Sequence, residues 1–283
     1  MPKANPKNER IKRDYLQWQE TAKGASVRTT DKIAAAISLF EKSTGGKDFA
    51  VFHINQAMKF KRDLKKPNPK TGKHLSKATT RSRLMALKHF FKWLADKPGY
   101  KSRVSHADCE YFNLTANDTR VASARREPPV PTLEQIRHVI AHAPYEAPTE
   151  KRDRALIAFT LLTGMRDAAI ASLPIGKLDS NARCVDQDAR IVLTKNAKTM
   201  QTFFFPVGGE AEQIVVEWQA FLRRDLLFSD SDPLFPKTQV GMGEDGGFAV
   251  LGLEPAFWSS AAPIRGIFRK RFESAGLPYF HPH

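Results

Sequence analysis

The stretch RALIAFTLLTGMRDAAIASLP, residues 154–174, sets two helices back to back across a glycine. From Ala155 to Leu162 nearly every position is apolar, which predicts one apolar helix running to Leu162, and Gly164 then permits a tight turn. A second, short helix begins near Arg166 and stops before Pro174. A guanidinium in a first helical turn sits at the positive end of the dipole, where carboxylates are preferred, so Arg166 needs an anion. Asp167 beside it offers a local surface ion pair, worth little. The other candidate is a phosphate, gripped by Arg166 and by N–H groups left free at the helix start. Local physics leaves both open.

Downstream of Pro174 the period changes. ARIVLT (189–194) and QTFFFPV (201–207) are β-branched and aromatic and are separated by the polar KNAKTM (195–200). They predict a short antiparallel sheet, with Cys184–Val185 as a candidate first strand. Helices resume over AEQIVVEWQAFLRRDLLF (211–228), a Gly-rich loop follows at GMGEDGGF (241–248), and APIRGIFRKRFESAG (262–276) is helical again. In that last segment Ile264, Ile267, Phe268 and Phe272 form the stripe to be buried, Pro263 suits the first turn and Gly276 the stop. The lone Gly-x-Gly at 241–243 follows no strand-to-helix turn and is no nucleotide fingerprint. Asp186 and Asp188 alternate in the strand region and are expected to face solvent; a metal-dependent nuclease would need carboxylates more tightly clustered, and no metal or cofactor is indicated.

Upstream, NDTRVASARREPPVPTLEQ (117–135) combines Pro128, Pro129 and Pro131 with three arginines. It reads as an extended basic linker over 116–131, ending at Thr132, an N-cap for the next helix, and it divides the chain into a domain over 1–115 and another over 132–283. The first domain reads as a helical bundle: ERIKRDYLQWQETA (9–22), SVRTTDKIAAAISLFEKST (26–44) closed by Gly45–Gly46, AVFHINQAMKFKRDLKK (50–66) stopped by Pro67, and SKATTRSRLMALKHFFKWLADK (76–97) stopped by Pro98. In the last of these Leu84, Leu87, Phe91 and Leu94 share one stripe, and Lys77, Arg81, Lys88 and Lys92 fall on the next. One face packs; its neighbour is placed to lie on phosphates, with Arg125 and Arg126 of the linker adding to it. The fold class is therefore mainly α with one small antiparallel sheet.

With 45 Lys and Arg against 30 Asp and Glu, the 283 residues carry a formal charge of +15. Such a surplus costs self-repulsion unless a polyanion answers it, and double-stranded DNA is the first partner to consider. Two cysteines far apart, Cys109 and Cys184, match neither a disulfide framework nor a paired metal site and suit a reducing compartment. The basic start has no apolar stretch of a secretory signal, and no run is long enough to span a bilayer, so the expected setting is cytoplasmic, at the nucleoid, without membrane contact.

LLTGMRDAAIASLP resembles the first arginine box of the tyrosine recombinase, or phage integrase, family: an apolar helix, Thr-Gly, a hydrophobic residue, the catalytic arginine, and a short helix ending in Leu. The resemblance extends in order along nearly the whole chain from about residue 10. It implies an N-terminal core-binding domain, a linker, and a catalytic domain whose three-stranded sheet carries a lysine in a hairpin, the whole forming a clamp on DNA. On that basis Arg166 takes the place of the arginine that binds the scissile phosphate. Lys195, with Lys198 as the alternative, takes that of the lysine that protonates the leaving group. The acid usual three positions past the arginine is Ala169 here, and the acid stands at Asp167 instead. PYFHPH (278–283) is similar to the approach to the family's second box, with His283 as the box histidine and His281 the lesser candidate. The second arginine, a later His or Trp and the tyrosine nucleophile would follow it, so the chain is expected to be truncated there. The family breaks and rejoins DNA through a 3′-phosphotyrosyl intermediate, as a tetramer on paired sites and without a cofactor. These 283 residues are expected to be a monomer that binds DNA without cleaving it. A non-catalytic DNA-binding or architectural protein is the alternative.

Overall fold

In a computed structural model, residues 5–69, 71–124, 127, 129–243 and 246–282 are described. The chain divides into two compact units, Met1–Glu127 and Pro128–His283. It is mainly helical, with small antiparallel sheets, the class its patterning predicts.

The first unit contains α1 (Pro6–Thr21), α2 (Val27–Ser43), α3 (Ile54–Leu64), α4 (Lys77–Ala95) and α5 (Ala116–Ser123). Capping residues fix the helix starts: Asn5, Ser76 and Thr115 each accept a backbone N–H from the first turn they precede, and His53 forms a capping box with Gln56. α4 is the central helix. Its Leu84, Leu87, Phe91 and Leu94 are buried as the stripe predicts, and Phe90 joins them. Around Phe91 the rings interlock, with Phe52 stacked at 4.3 Å between centroids, Phe112 at 5.5 Å and Phe40 edge-on at 5.3 Å. Cys109 lies in the same core, where burial pushes its thiol up to about 11 and keeps it unreactive.

One expectation fails here. The extended linker expected from residue 116 is helical over its first half: α5 starts there, capped by Thr115, and packs along α4. The acid that holds it is Asp118, which accepts from Lys77 at 2.7 Å and lies 3.8 Å from Lys65. Pro-rich composition further along masked this helix: the linker's prolines begin only at residue 128, and none occurs over 116–127.

In the second unit, α6 (Leu133–His142) opens on a capping box of Thr132 and Gln135. α7 (Pro148–Thr163) is the core helix. Ala155, Leu156, Ile157, Ala158 and Phe159 are all buried in succession, so the helix is enclosed on every face. Then come α8 (Asp167–Ala171), the sheet strands β1 (Leu178–Asp179), β2 (Cys184–Gln187) and β3 (Met200–Phe203), α9 (Gly209–Arg224), a hairpin of β4 (Lys237–Met242) and β5 (Phe248–Glu254), and α10 (Ala262–Ser274). α9 packs along α7, supplying Val215, Trp218 and Leu222, while α10 closes the core with Ile264 and Phe272.

The three-stranded sheet runs in the order β1-β2-β3, all antiparallel, with Val185 opposite both Leu178 and Thr202. This corrects the strand assignment. The middle strand is CVDQ, not ARIVLT, which lies instead in the long connection 188–199 between β2 and β3. Asp188 is the cause. Its carboxylate accepts from the backbone N–H of Arg190 at 3.0 Å and from that residue's guanidinium, and its carbonyl accepts from Val192 at 2.8 Å. The local turn outcompetes the ladder. Asp188 is consequently buried rather than solvent-facing. The β4–β5 hairpin was not anticipated at all; only the Gly-rich turn that joins its strands was.

Candidate functional site

The centre of the site is the turn between α7 and α8. Thr163 returns its hydroxyl to the carbonyl of Phe159 at 2.8 Å, and Gly164 caps α7 in the left-handed region at φ 58°, donating to Thr160 at 2.9 Å. Phe205, just past β3, lies against this glycine and donates its N–H to Leu162 at 2.7 Å; a Cβ on Gly164 would meet the Phe205 ring at 3.0 Å. Both the backbone angle and the neighbour thus require glycine. Gly164→Ala is expected to cost about 1–2 kcal/mol, since left-handed geometry penalises any Cβ by roughly that much. Thermal unfolding should fall by a few degrees, and an unchanged midpoint would contradict the clamp.

Arg166 follows as the N-cap residue of α8 and is exposed. Its side chain makes no ion pair or hydrogen bond with any described residue. The nearest acid is taken: Asp167 is buried and turns away to α10, where Arg265 donates to its Oδ2 through Nε at 2.7 Å and Nη2 at 2.6 Å. The other oxygen, Oδ1, accepts the N–H of Ala168 at 2.8 Å. The local Arg166–Asp167 pair, open on sequence grounds, is therefore not formed. Because α8 has only five residues, it contributes little dipole, and the guanidinium is the main positive group of the turn.

Two further segments are tied to this region, one at the far end of α8 and one beside Gly164. Ser172, the C-cap of α8, accepts the N–H of Leu193 at 2.8 Å, tying the connection 188–199 to the far end of the helix that Arg166 begins. That end is roughly 9 Å from Arg166 at the rise of an α-helix. Lys195 is two residues beyond this anchor and Lys198 five; both are exposed, and neither pairs with a described residue. Asn196 and Ala197 between them have positive φ, 61° and 50°, so the loop turns sharply there. The third segment is the stretch after α10. Phe280, His281 and Pro282 line one cavity of about 230 Å³ together with Gly164 and Met165. Phe280 sits edge-on to Phe272 at 5.7 Å, which fixes this stretch to α10. His283 lies outside the described residues, as do Arg125 and Arg126. Tyr279 has its ring under the Arg269 guanidinium at 4.9 Å and packs against the core.

In the first unit the basic stripe on α4 is largely matched by acids. Lys88 and Lys92 each reach Glu110 at 2.7 Å, and Lys77 reaches Asp118. The two lysines and Asn113 hold the Glu110 carboxyl down to about 2. Arg81 is exposed and pairs with no described residue; it lines an open groove with Gln19, Thr29, Ser82 and His89. Asp186 and Asp188 are likewise matched, by Lys177 and Arg190. Among the described residues no three His, Cys, Asp or Glu stand together as metal ligands, and no helix is long and apolar enough to cross a membrane.

The backbone resembles a recombinase and a phage integrase. The solved structure of XerA recombinase matches 97% of this chain and 80% of its own length at 14% identity, with a TM-score of 0.38. The integrase from mycobacterium phage Brujita matches 95% and 73% at 16% identity, with a TM-score of 0.32. No protein-family model matches the sequence, and neither does any curated protein. At such values the likeness decides nothing about chemistry, which is read from the chain's own residues.

Three residues of the site were not foreseen: Ser172, Arg265 and Phe205. Arg265 had a faint signal, a cation next to Ile264 in the stripe of α10, but its partner is 98 residues away. Nothing in local sequence names such a partner.

Proposed function

We propose that this chain is a DNA-binding member of the tyrosine-type site-specific recombinases and that Arg166 grips the phosphate at which a strand is cut. What supports the reading is that Arg166, beside a carboxylate already spent on Arg265, is exposed and without a partner among the described residues, at the start of the short helix whose far end holds the lysine-bearing connection and next to the turn that the stretch leading to His283 packs against. An exposed guanidinium with a fixed backbone and no internal anion is suited to an external one, and its planar fork matches phosphate oxygens.

In this proposal attack on the phosphodiester builds charge on the non-bridging oxygens, and Arg166 with His283 offsets it. Lys195 delivers the proton to the leaving 5′ oxygen; its nearness to the Leu193 anchor favours it over Lys198. The tyrosine ester that conserves the energy for rejoining needs a nucleophile, and none of the five tyrosines in these residues is given that role. Tyr279, the one close to the site in sequence, is committed to Arg269 and the core. In this proposal the 283 residues bind duplex DNA and form no covalent adduct with it.

The test is binding of labelled duplex by Arg166→Ala and Arg166→Lys. Loss of a charge-assisted phosphate contact is expected to weaken affinity about ten- to a hundredfold for the alanine variant, with the logarithmic salt slope falling by about one. The lysine variant keeps the slope and recovers part of the affinity. Affinity and slope both unchanged in Arg166→Ala would remove Arg166 from the DNA.

A further inference from the structure

The hairpin of β4 and β5 is rooted in the core at its base and bare at its far half. At the base Leu253 is buried, and Thr238 Oγ1 accepts from the buried Arg152 at 2.9 Å. Further out, Val240 pairs directly with Val250 and Met242 with Phe248 across the ladder. Direct partners share a face, and partners two residues apart share the same one, so these four side chains form one apolar surface. They are 58%, 61%, 74% and 89% exposed for Val240, Val250, Met242 and Phe248. On the opposite face Leu251 covers Gly241, which partly fills that side from within.

A two-stranded ribbon with its apolar face in water is marginal, and this face is in the upper part of the range of the largest apolar patch of an ordinary monomer, a size that is often functional. Scaled by ordinary side-chain areas, the four residues present roughly 500 Å² of exposed surface, against the roughly 800 Å² per partner of a standard stable interface. We infer that this face of the hairpin packs against the same face of a second copy of the chain, giving a weak two-fold dimer in which two ribbons stack as layers. The face is self-complementary: four apolar side chains without an exposed charge among them, which two copies can present to each other around a two-fold axis. A DNA groove is the poorer occupant, since these four side chains offer phosphate no cation. Strand addition at an edge is also disfavoured, because a bulge between Gln239 and Val240, opposite Gly252 at φ 145°, interrupts the ladder. The monomer expected from sequence took no account of this hairpin.

The measurement is sedimentation velocity of the 283-residue chain without DNA, so that its outcome is independent of the recombinase reading. A reversible dimer is expected to appear at tens of micromolar, the weak range for half a standard interface. Met242→Ser with Phe248→Ser is expected to weaken association at least tenfold while circular dichroism stays unchanged, both residues being exposed. Lys237→Ala, at the base and off the apolar face, leaves association as it was. A chain that stays monomeric at about 200 μM, or a dimer indifferent to the serine pair, overturns the inference and leaves the face to another protein.

Discussion

Replacing Asp153 by asparagine or alanine is expected to cost about 3–5 kcal/mol of stability, the largest single-site loss in the second unit. Asp153 sits inside the core between two guanidinium groups. Its Oδ1 accepts from Arg152 through Nε at 3.2 Å and Nη2 at 2.8 Å, and its Oδ2 accepts from Arg271 Nη2 at 2.8 Å. All three side chains are buried. One carboxylate thus serves two cations that have left water, and Arg271 Nε already lacks a partner among the described residues. Without the carboxylate both charges stay buried with nothing to oppose them. The effect spreads, because Arg152 Nη1 also donates to the carbonyl of Pro236 at 3.1 Å and to Thr238, so the same group roots β4. A loss of that size is a large share of the roughly 5–15 kcal/mol that holds a domain together. The thermal midpoint is expected to drop by about 10 °C. Arg271→Met introduced alongside Asp153→Asn should restore part of it by removing one stranded cation. A partly exposed pair gives the contrast, since Lys177→Ala, which loses a contact to Asp186, should change stability by only about 1 kcal/mol. A midpoint within 2 °C of the parent for Asp153→Asn would show that the triad is not buried as described.

Where sequence and structure agree, the deciding residues act within a turn or two of themselves. The all-round apolar run before Leu162 could only be an enclosed helix, and Gly164 could only end it. Pro263 and Gly276 bracket α10 by the same local logic, and α4 shows its buried stripe at plain helical spacing. Disagreement came where a side chain chose between two backbone partners. ARIVLT has the composition of a strand, yet Asp188 ties Arg190 and Val192 into a turn, and the ladder moves to Cys184–Gln187. For α5, a helix of eight residues stands or falls on docking, and its docking partner, Lys77, is 41 residues away. The site divides the same way. Arg166 could be singled out because its place at a helix start after a Thr-Gly turn is local, whereas the release of Arg166 from Asp167 depends on Arg265, contributed by another helix. The stripe of Lys77, Lys88 and Lys92 was visible in the sequence; the acids that answer it, Glu110 and Asp118, come from segments whose placement only the folded chain reveals.

Those acids lead to the second large effect. If the chain binds duplex DNA through about six phosphates, affinity is expected to fall on the order of a thousandfold between 50 and 200 mM salt. The surplus of +15 makes such a slope attainable, but it does not say which cations supply it. On α4 Arg81 and Arg83 are without an ion pair among described residues, and the lysines would have to exchange a carboxylate for a phosphate. Glu110→Gln with Asp118→Asn tests that exchange, because it frees Lys77, Lys88 and Lys92 without altering a helix cap: Thr115 still accepts the N–H of residue 118. If the stripe lies on the backbone of DNA, the double variant binds about tenfold more tightly at 100 mM salt, and its logarithmic slope steepens by one to two. If the stripe is an ordinary solvated face, only the small gain from two removed negative charges remains, the slope does not move, and the DNA-contacting surface must be sought around Arg81 and the groove it lines. Affinity that does not respond to salt in either protein is the result that ends the DNA reading, since no arrangement of cations on phosphates escapes the release of counterions.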